Sequence, residues 1–362
     1  CSTAEVNPLF SDSVYIDRLS RIPAVMEMPY NDIVRKFIDM YAGRLRNQVS
    51  FMLSACNFYM PIFEEALDAY GLPLELKYLP IIESALNPSA VSRAGASGLW
   101  QFMIGTGKIY GLESNSLIDE RRDPIKATWA AARYLKEMYD IYGDWNLVIA
   151  AYNCGPGTIN KAIRRAGGET DYWKIYNLLP KETRGYVPAF IAANYVMTYY
   201  CDHNICPMET NIPASTDTVQ VTQNLHFEQI AELCNVPLDE VKSLNPQYKK
   251  QIIPGTTKPC TLRLPQGAIS AFIDKQDTIY AHRADELFRN RKTVAVKEIT
   301  PATRRQTSAI AGKGKLTYYK IKSGDTLSSI AEKLGVRVRD IQQWNGMSNT
   351  RISAGKQLKI YK

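Results

Sequence analysis

Three histidines are all that this 362-residue chain contains. His203, His226 and His282 stand far apart without ligand spacing, which argues against a catalytic metal, and no cofactor is expected. No run of eighteen apolar residues occurs, so no segment reads as a membrane-spanning helix. Alternation of period two is largely missing between residues 30 and 200, which leaves a mainly α-helical first half. Negative charge is also in short supply. Lys and Arg number 44 against 36 Asp and Glu, a formal net charge of +8, and this suits an anionic partner. Nucleic acid is the generic candidate, but a cell-wall polymer bearing carboxylates and phosphates fits equally well. Apolar content is ample at 45%, and the length allows two or three domains.

One further scarcity is of carboxylates. The stretch from Leu79 to Met103 holds a single carboxylate, Glu83, after an apolar run and before a loop of small residues. Leu79, Ile81, Ile82, Ala85 and Leu86 flank it and should partly desolvate it. Desolvation raises a carboxyl pKa, so the group can hold a proton near neutral pH and donate it. Gly95 and Gly98, with Ala94, Ala96 and Ser97, allow the close backbone approach that a groove wall needs. The bland alternative is a paired or snorkelling glutamate on a helix. Pro80, just upstream, should start or kink the helix that carries Glu83.

The order Glu-Ser, Asn-Pro, Ala-x-Ser, Gly-Ala-x-Gly-Leu-Trp-Gln-Phe-Met resembles the active-site segment of the family 1 lytic transglycosylases, and its Trp-Gln-Phe variant resembles the membrane-bound type D branch. Ala151–Gly157 (Ala-Tyr-Asn-Cys-Gly-Pro-Gly) and Glu182–Val187 (Glu-Thr-Arg-Gly-Tyr-Val) follow where that family needs them. Cys154 departs from the pattern, standing where a small residue is usual. The resemblance covers roughly residues 60 to 205 and implies a mainly α lysozyme-like fold.

Ordinary glycosidases place two carboxylates across the scissile bond. The resemblance implies a mechanism with one. Glu83 would protonate the oxygen between N-acetylmuramic acid and N-acetylglucosamine, and the substrate's acetamido group would support the developing charge. Glu83 would then take the proton of the muramoyl C6 hydroxyl, leaving a 1,6-anhydro end. Ser92 and Gln101 would hydrogen-bond substrate, and Met103 would line the groove. Tyr152 would orient the acetamido group or Glu83, and Asn153 would hold the turn. Glu182 and Tyr186 would bind sugar on the other wall, with an ion pair from Glu182 to Arg184 or a nearby lysine as the plain alternative. Two other functions compete: a lysozyme-type hydrolase on the same fold, and a non-catalytic wall-binding scaffold.

The expected organisation is a lipid anchor and tether over 1–28, a transglycosylase domain over 29–208 and a degenerate LysM-like module over 215–266. A helical extension over 267–290, a linker over 291–316 and a LysM module over 317–362 follow. The last strand–helix–helix–strand unit closely resembles LysM, a small α+β binder of N-acetylglucosamine chains. That resemblance places sugar at Gly324, Asp325, Thr326, Leu327 and the loop before Ile352, although Asp325 or Thr326 also suits a helix N-cap. The earlier module lacks the Gly-Asp-Thr-Leu turn and has Asn224-Leu225-His226-Phe227 instead. From Arg291 onward sixteen basic residues face four acidic ones, either a solvated surface or a contact with anionic wall or membrane.

Cys1, followed by Ser-Thr-Ala, is expected to be the lipidated first residue of a bacterial lipoprotein, periplasmic and attached to the outer membrane. Six cysteines then remain. Cys201 with Cys206 and Cys234 with Cys260 are candidate disulfides, and Cys56 and Cys154 are left as buried thiols. The expected partners are peptidoglycan glycan strands and a membrane, with no nucleic acid, and the chain is expected to be a monomer.

Overall fold

A computed structural model of the chain describes residues 7–288 except 211 and 214, and 316–361 except 323, 324, 337, 346, 348–351, 353 and 354. Cys1, Gly324 and the expected linker residues 291–315 lie outside the described residues. The chain divides into two units, Cys1–Ile299 and Thr300–Lys362.

Capping residues set the helices of the first unit. Helix α1 spans Asp12–Ser20. Helix α2, Asp32–Ala42, starts where Asn31 Oδ1 accepts from the main-chain N–H of Ile33 and Val34, both at 3.0 Å. Its stripe of Val34, Ile38 and Tyr41 is buried. Helix α3 is the long Arg46–Ala69, followed by α4, Leu79–Ser84, and α5, Ile104–Ile109. Helix α6, Pro124–Tyr142, has Asp123 as its cap, Pro124 in its first turn and left-handed Gly143 as its stop. Then come α7, Trp145–Cys154, capped by Asp144, α8, Pro156–Arg165, and the short α9, Tyr172–Ile175, and α10, Lys181–Arg184.

Helix α11, Tyr186–Tyr199, is apolar on every side, and each residue from Tyr186 to Met197 is buried. A helix of that kind belongs at the centre of a core. It packs against α2, α4 and α7, so its first residue, Tyr186, is held behind the short helix that carries Glu83.

The amino-terminal segment corrects the expectation of a tether. Tyr15, Leu19 and Met26 belong to the main core. Arg18 pairs with Asp202 at 3.0 Å, and the N–H groups of Val25 and Met26 donate to Glu75 Oε1 at 2.6 and 2.9 Å. Asn7 Oδ1 already lies 2.7 Å from His203 Nδ1. Tyr15 and Leu19 are one helical turn apart, and burying two such side chains contributes about 1.5–3 kcal/mol each. That outweighs the extended bias of the neighbouring prolines.

A second core follows in the same unit. Strand β1, Thr216–Val221, pairs antiparallel with β4, Cys260–Pro265, and β2, Asn224–His226, pairs with β3, Ile252–Pro254. Helices α12, Phe227–Cys234, and α13, Leu238–Leu244, lie between. The segment read as one appended helix is three: α14, Gln266–Asp274, α15, Gln276–Ala281, and α16, Ala284–Leu287. Ala268, Phe272 and Ile279 enter the module's own core, so the first two helices are part of it and not an extension. Leu117 and Ile118, from the loop between α5 and α6, belong to that core as well.

No disulfide joins the described cysteines, which corrects both candidate pairs. Cys234 ends α12 facing Lys275, whereas Cys260 opens β4 beside Tyr248. Cys206 is held through its carbonyl, which accepts from Ser50 Oγ at 2.5 Å.

In the second unit, β5, Leu316–Lys320, pairs antiparallel with β6, Gln357–Tyr361, around α17, Leu327–Leu334, and α18, Val338–Trp344. Ile321, Leu327, Ile330, Ile341, Leu358 and Ile360 form its core.

Candidate active site

Helix α4 is only six residues long, begins with Pro80 in its first turn and ends on two left-handed residues, Ala85 (φ 51°) and Leu86 (φ 59°). Non-glycine residues adopt that region at a cost and cluster at functional sites. Ser84 Oγ donates to the Leu99 carbonyl at 2.9 Å, tying the helix to the following loop. Glu83 therefore sits half-buried on a short, fixed perch.

The loop from Ser92 to Met103 is folded by its own polar groups. Ser92 Oγ accepts from Ala96 N at 3.0 Å, and Gln101, also left-handed (φ 49°), donates Nε2 to the carbonyls of Gly98 and Ala90 at 2.8 and 3.2 Å. Gly98 has φ 88°, and a Cβ there would lie 1.7 Å from the Arg121 carbonyl oxygen. Only glycine fits. The Trp100 indole behind the loop donates to Thr128 Oγ1 at 2.9 Å.

Two cavities of about 400 and 430 Å³ meet at Glu83, Ser92 and Gln101. The first is walled by Gln48, Met52, Ile81, Ala90 and Val91 among others. The second is walled by Met103, Thr106, Tyr134, Tyr152, Asn153 and Glu182 among others. The acid thus stands between the two cavities.

Tyr186 Oη donates to Glu83 Oε1. Burial is the main force on Glu83 and pushes its pKa up to about 7; the Tyr186 hydrogen bond pulls it down, and the negative charge of Glu182 adds a further push upward. Tyr186 and Tyr152 are themselves held well above the ordinary phenol range, chiefly by burial, so both remain donors. Tyr152 Oη donates to the Trp100 carbonyl at 2.6 Å.

The structure thus gathers seven of the expected residues, Glu83, Ser92, Gln101, Met103, Tyr152, Asn153 and Glu182, along one groove. Tyr186 is placed differently from the expectation: it is buried behind Glu83 and bonds to it, where a sugar contact was expected. Tyr152 takes the loop carbonyl instead of the acid. Asn153 Oδ1 accepts from Thr183 Oγ1 at 2.9 Å, linking the end of α7 to α10. Arg184 is turned to the carbonyls of Leu179 and Asn177 at 2.9 and 2.8 Å. Gln48 and Tyr134 escaped the sequence reading. Their only signal is a polar group on an otherwise apolar helix stripe, beside Leu45 and Met52 or beside Ala130 and Met138.

Three family models match the chain: the transglycosylase SLT domain over residues 60–175, the LysM-like domain of lytic transglycosylase MltD over 215–281, and the LysM domain over 319–360. Over 341 residues the chain is 30% identical to the membrane-bound lytic murein transglycosylase D of Escherichia coli K12, covering 92% of this chain and 70% of that relative. The chain belongs to the membrane-bound lytic murein transglycosylase D family. As a member it is a peptidoglycan lytic transglycosylase, with a mainly helical, lysozyme-like catalytic domain and small α+β LysM modules.

Family likeness extends to the soluble lytic murein transglycosylase of the same organism, 33% identical over 124 residues, covering 33% of this chain and 19% of the relative. The crystal structure of the 70 kDa soluble lytic transglycosylase of E. coli aligns at 29% identity and a TM-score of 0.35, over 40% of this chain and 24% of that one. Among the described residues, no helix of this lytic transglycosylase is long and apolar enough to cross a membrane.

In the terminal LysM module, Asp325 Oδ2 accepts from Tyr319 Oη at 3.0 Å and from Lys322 N at 2.9 Å. Thr326 Oγ1 accepts from Ser329 N at 3.1 Å, while Ser329 Oγ accepts from Thr326 N at 3.0 Å, a reciprocal cap on α17. Leu327 is buried in the core and Ile352 packs against it. Leu327 therefore supports the turn from inside, which corrects its expected contact with sugar.

Proposed function

We propose that Glu83 alone serves as acid and then base, cleaving the β-1,4 bond between N-acetylmuramic acid and N-acetylglucosamine and leaving 1,6-anhydro ends. The carrying observation is the half-buried carboxyl, its pKa near 7, at the meeting point of the two cavities and bonded to Tyr186. At neutral pH about half of such groups carry the proton that the leaving oxygen needs. After bond cleavage the ionised Glu83 accepts the Tyr186 hydrogen bond, which stabilises the carboxylate that must next take the C6 hydroxyl proton. Ser92, Gln101 and Met103 contact substrate on one wall, and Tyr152, Asn153 and Glu182 on the other.

Glu182 lines the second cavity and acts on Glu83 only as a nearby negative charge. Its assigned role is to bind sugar and to hold Glu83 protonated. The exposed face of the terminal module around Asp325 and Thr326 binds glycan chains. Attachment to the outer membrane of a Gram-negative bacterium through a lipidated Cys1, facing the periplasm, belongs to the same proposal; the membrane-bound name of the E. coli relative supports it. Mass spectrometry of the sugars released from purified sacculi tests the chemistry. Anhydro ends, one water lighter than reducing ends, are expected. Reducing ends would replace this mechanism with hydrolysis.

A further inference from the structure

The loop between α5 and α6 is unusually polar inside. Ser114, Asn115, Asp119, Glu120 and Arg121 are all buried. Buried charges persist only when paired and hydrogen-bonded, and here the partners run in one direction. Asp119 takes Arg121 through both oxygens, with Nε and Nη2 each at 2.8 Å. The remaining end of the guanidinium, Nη1, donates to the carbonyls of Gly95 and Phe102, both at 2.9 Å. Those two carbonyls bracket the turn that presents Gln101 to the groove. Arg122 Nε adds a bond to Ser97 Oγ at 3.1 Å.

On its other side Asp119 meets the LysM-like module. Lys249 Nζ lies 3.8 Å from Asp119 Oδ2 and donates to the Asn115 carbonyl at 2.8 Å. The main chains pair as short antiparallel strands, with Asp119 N donating to the Gln247 carbonyl at 2.8 Å and Lys249 N to the Leu117 carbonyl at 2.7 Å. Leu117 and Ile118 complete the module's core. Meanwhile the module's own candidate sugar turn is turned inward. Leu225 and Phe227 are buried, and His226 caps α12. The module offers little at that turn for a glycan and much for the catalytic loop.

We propose that Lys249 and Asp119 are positioning residues for the lytic reaction, the LysM-like module bracing the Gly95–Phe102 wall of the groove through the chain Lys249–Asp119–Arg121. This rests on the groove being the active site. The wall carries Gln101, borders Met103, receives Tyr152 at Trp100 and receives Ser84, next to Glu83, at Leu99. A wall that relaxes by about 1 Å loses reactive alignment while keeping most substrate contacts, a change that can cost about 10²-fold in turnover. The signature is a fall in kcat with little change in KM.

The test uses the full chain with Lys249→Met and Asp119→Asn, and Lys249→Arg as the conservative rescue. Lys258→Ala is the control, because Lys258 pairs with Glu113 and Glu120 at the same seam but outside this chain of contacts. Two readouts are taken: hydrogen exchange of the amides of residues 92–103, and kcat and KM on soluble, uncrosslinked glycan strands. The folded Lys249→Met or Asp119→Asn protein should exchange at least fivefold faster in that segment and lose about 10- to 100-fold in kcat, with sacculus binding retained. Lys249→Arg should recover most of both, and Lys258→Ala should stay within twofold of the unsubstituted chain. Unchanged exchange, normal turnover despite faster exchange, or a loss confined to KM with weakened sacculus binding would each overturn the proposal. If one variant does not fold, the other carries the test. An unsubstituted chain without cleavage activity would count against the active-site assignment, while the exchange result would still judge the brace.

Discussion

Tyr186 and Glu83, 103 residues apart, share a hydrogen bond that opposes the main force on the acid. Burial drives Glu83 toward its neutral form, and the phenol favours the ionised one. The balance near 7 is what a group needs if it must first give a proton and then take one. Tyr186→Phe removes the downward pull. The pKa should rise, so the limb of kcat/KM that falls as Glu83 loses its proton should move to higher pH. Turnover near neutrality should fall by about 10- to 100-fold, because Glu83 becomes a weaker acid and the carboxylate left by proton donation loses its stabilising hydrogen bond. A pH–rate profile decides; an unmoved alkaline limb would contradict the assignment.

Glu83→Gln should abolish cleavage, by at least about 10²- to 10⁴-fold, and leave sacculus binding intact. Residual activity of a tenth would contradict the role. The same variant should be more stable than the unsubstituted chain at alkaline pH. A carboxyl raised in the folded state contributes fully below its unfolded pKa, and that contribution is lost as pH rises through about 7. With some solvent access to discount the shift, the gain at pH 8 should be about 1–3 kcal/mol. It should vanish near pH 4. Denaturant titrations at the two pH values measure it.

Gly98→Ala should cost at least about 2 kcal/mol, combining a left-handed backbone with a direct collision at the Arg121 carbonyl. For a chain of this size that is a drop of several degrees in Tm. Cleavage should fall further than stability alone explains, since the displaced atoms belong to the groove wall. Calorimetry with parallel assays separates the two effects.

Deleting residues 317–362 should weaken sacculus binding while sparing turnover of short soluble glycans, because that unit has its own core. Equal loss on both substrates would contradict a purely binding role.

Much of the site was legible because local chemistry marks it. A lone carboxylate among aliphatics, small residues beside it and an amide beyond it all lie within one segment, Leu79–Met103. What stayed hidden depends on contacts between distant segments. Nothing near Tyr186 announces Glu83, since α11 delivers the phenol through its burial against α4. Tyr134 follows a helical stripe that reads as core until the groove opens beside it. Leu117 and Ile118 read as two aliphatics in a polar loop, and only the module's core explains them. The amino-terminal helix was masked by the prolines on either side of it, Pro8 and Pro23, although Tyr15 and Leu19 already carried the spacing.

The shared core at Leu117 and Ile118 also bears on inheritance. Domains joined by a linker can be exchanged as cassettes, each bringing its whole interior. Here the catalytic half donates two residues to its neighbour's interior and receives a strand-like pairing in return. A foreign module grafted at residue 215 would leave those aliphatics exposed and the Asp119–Arg121 pair without its lysine. Recombination within this family should therefore move the catalytic domain and the LysM-like module, residues 7–281, as one block, with the terminal module as the part open to exchange.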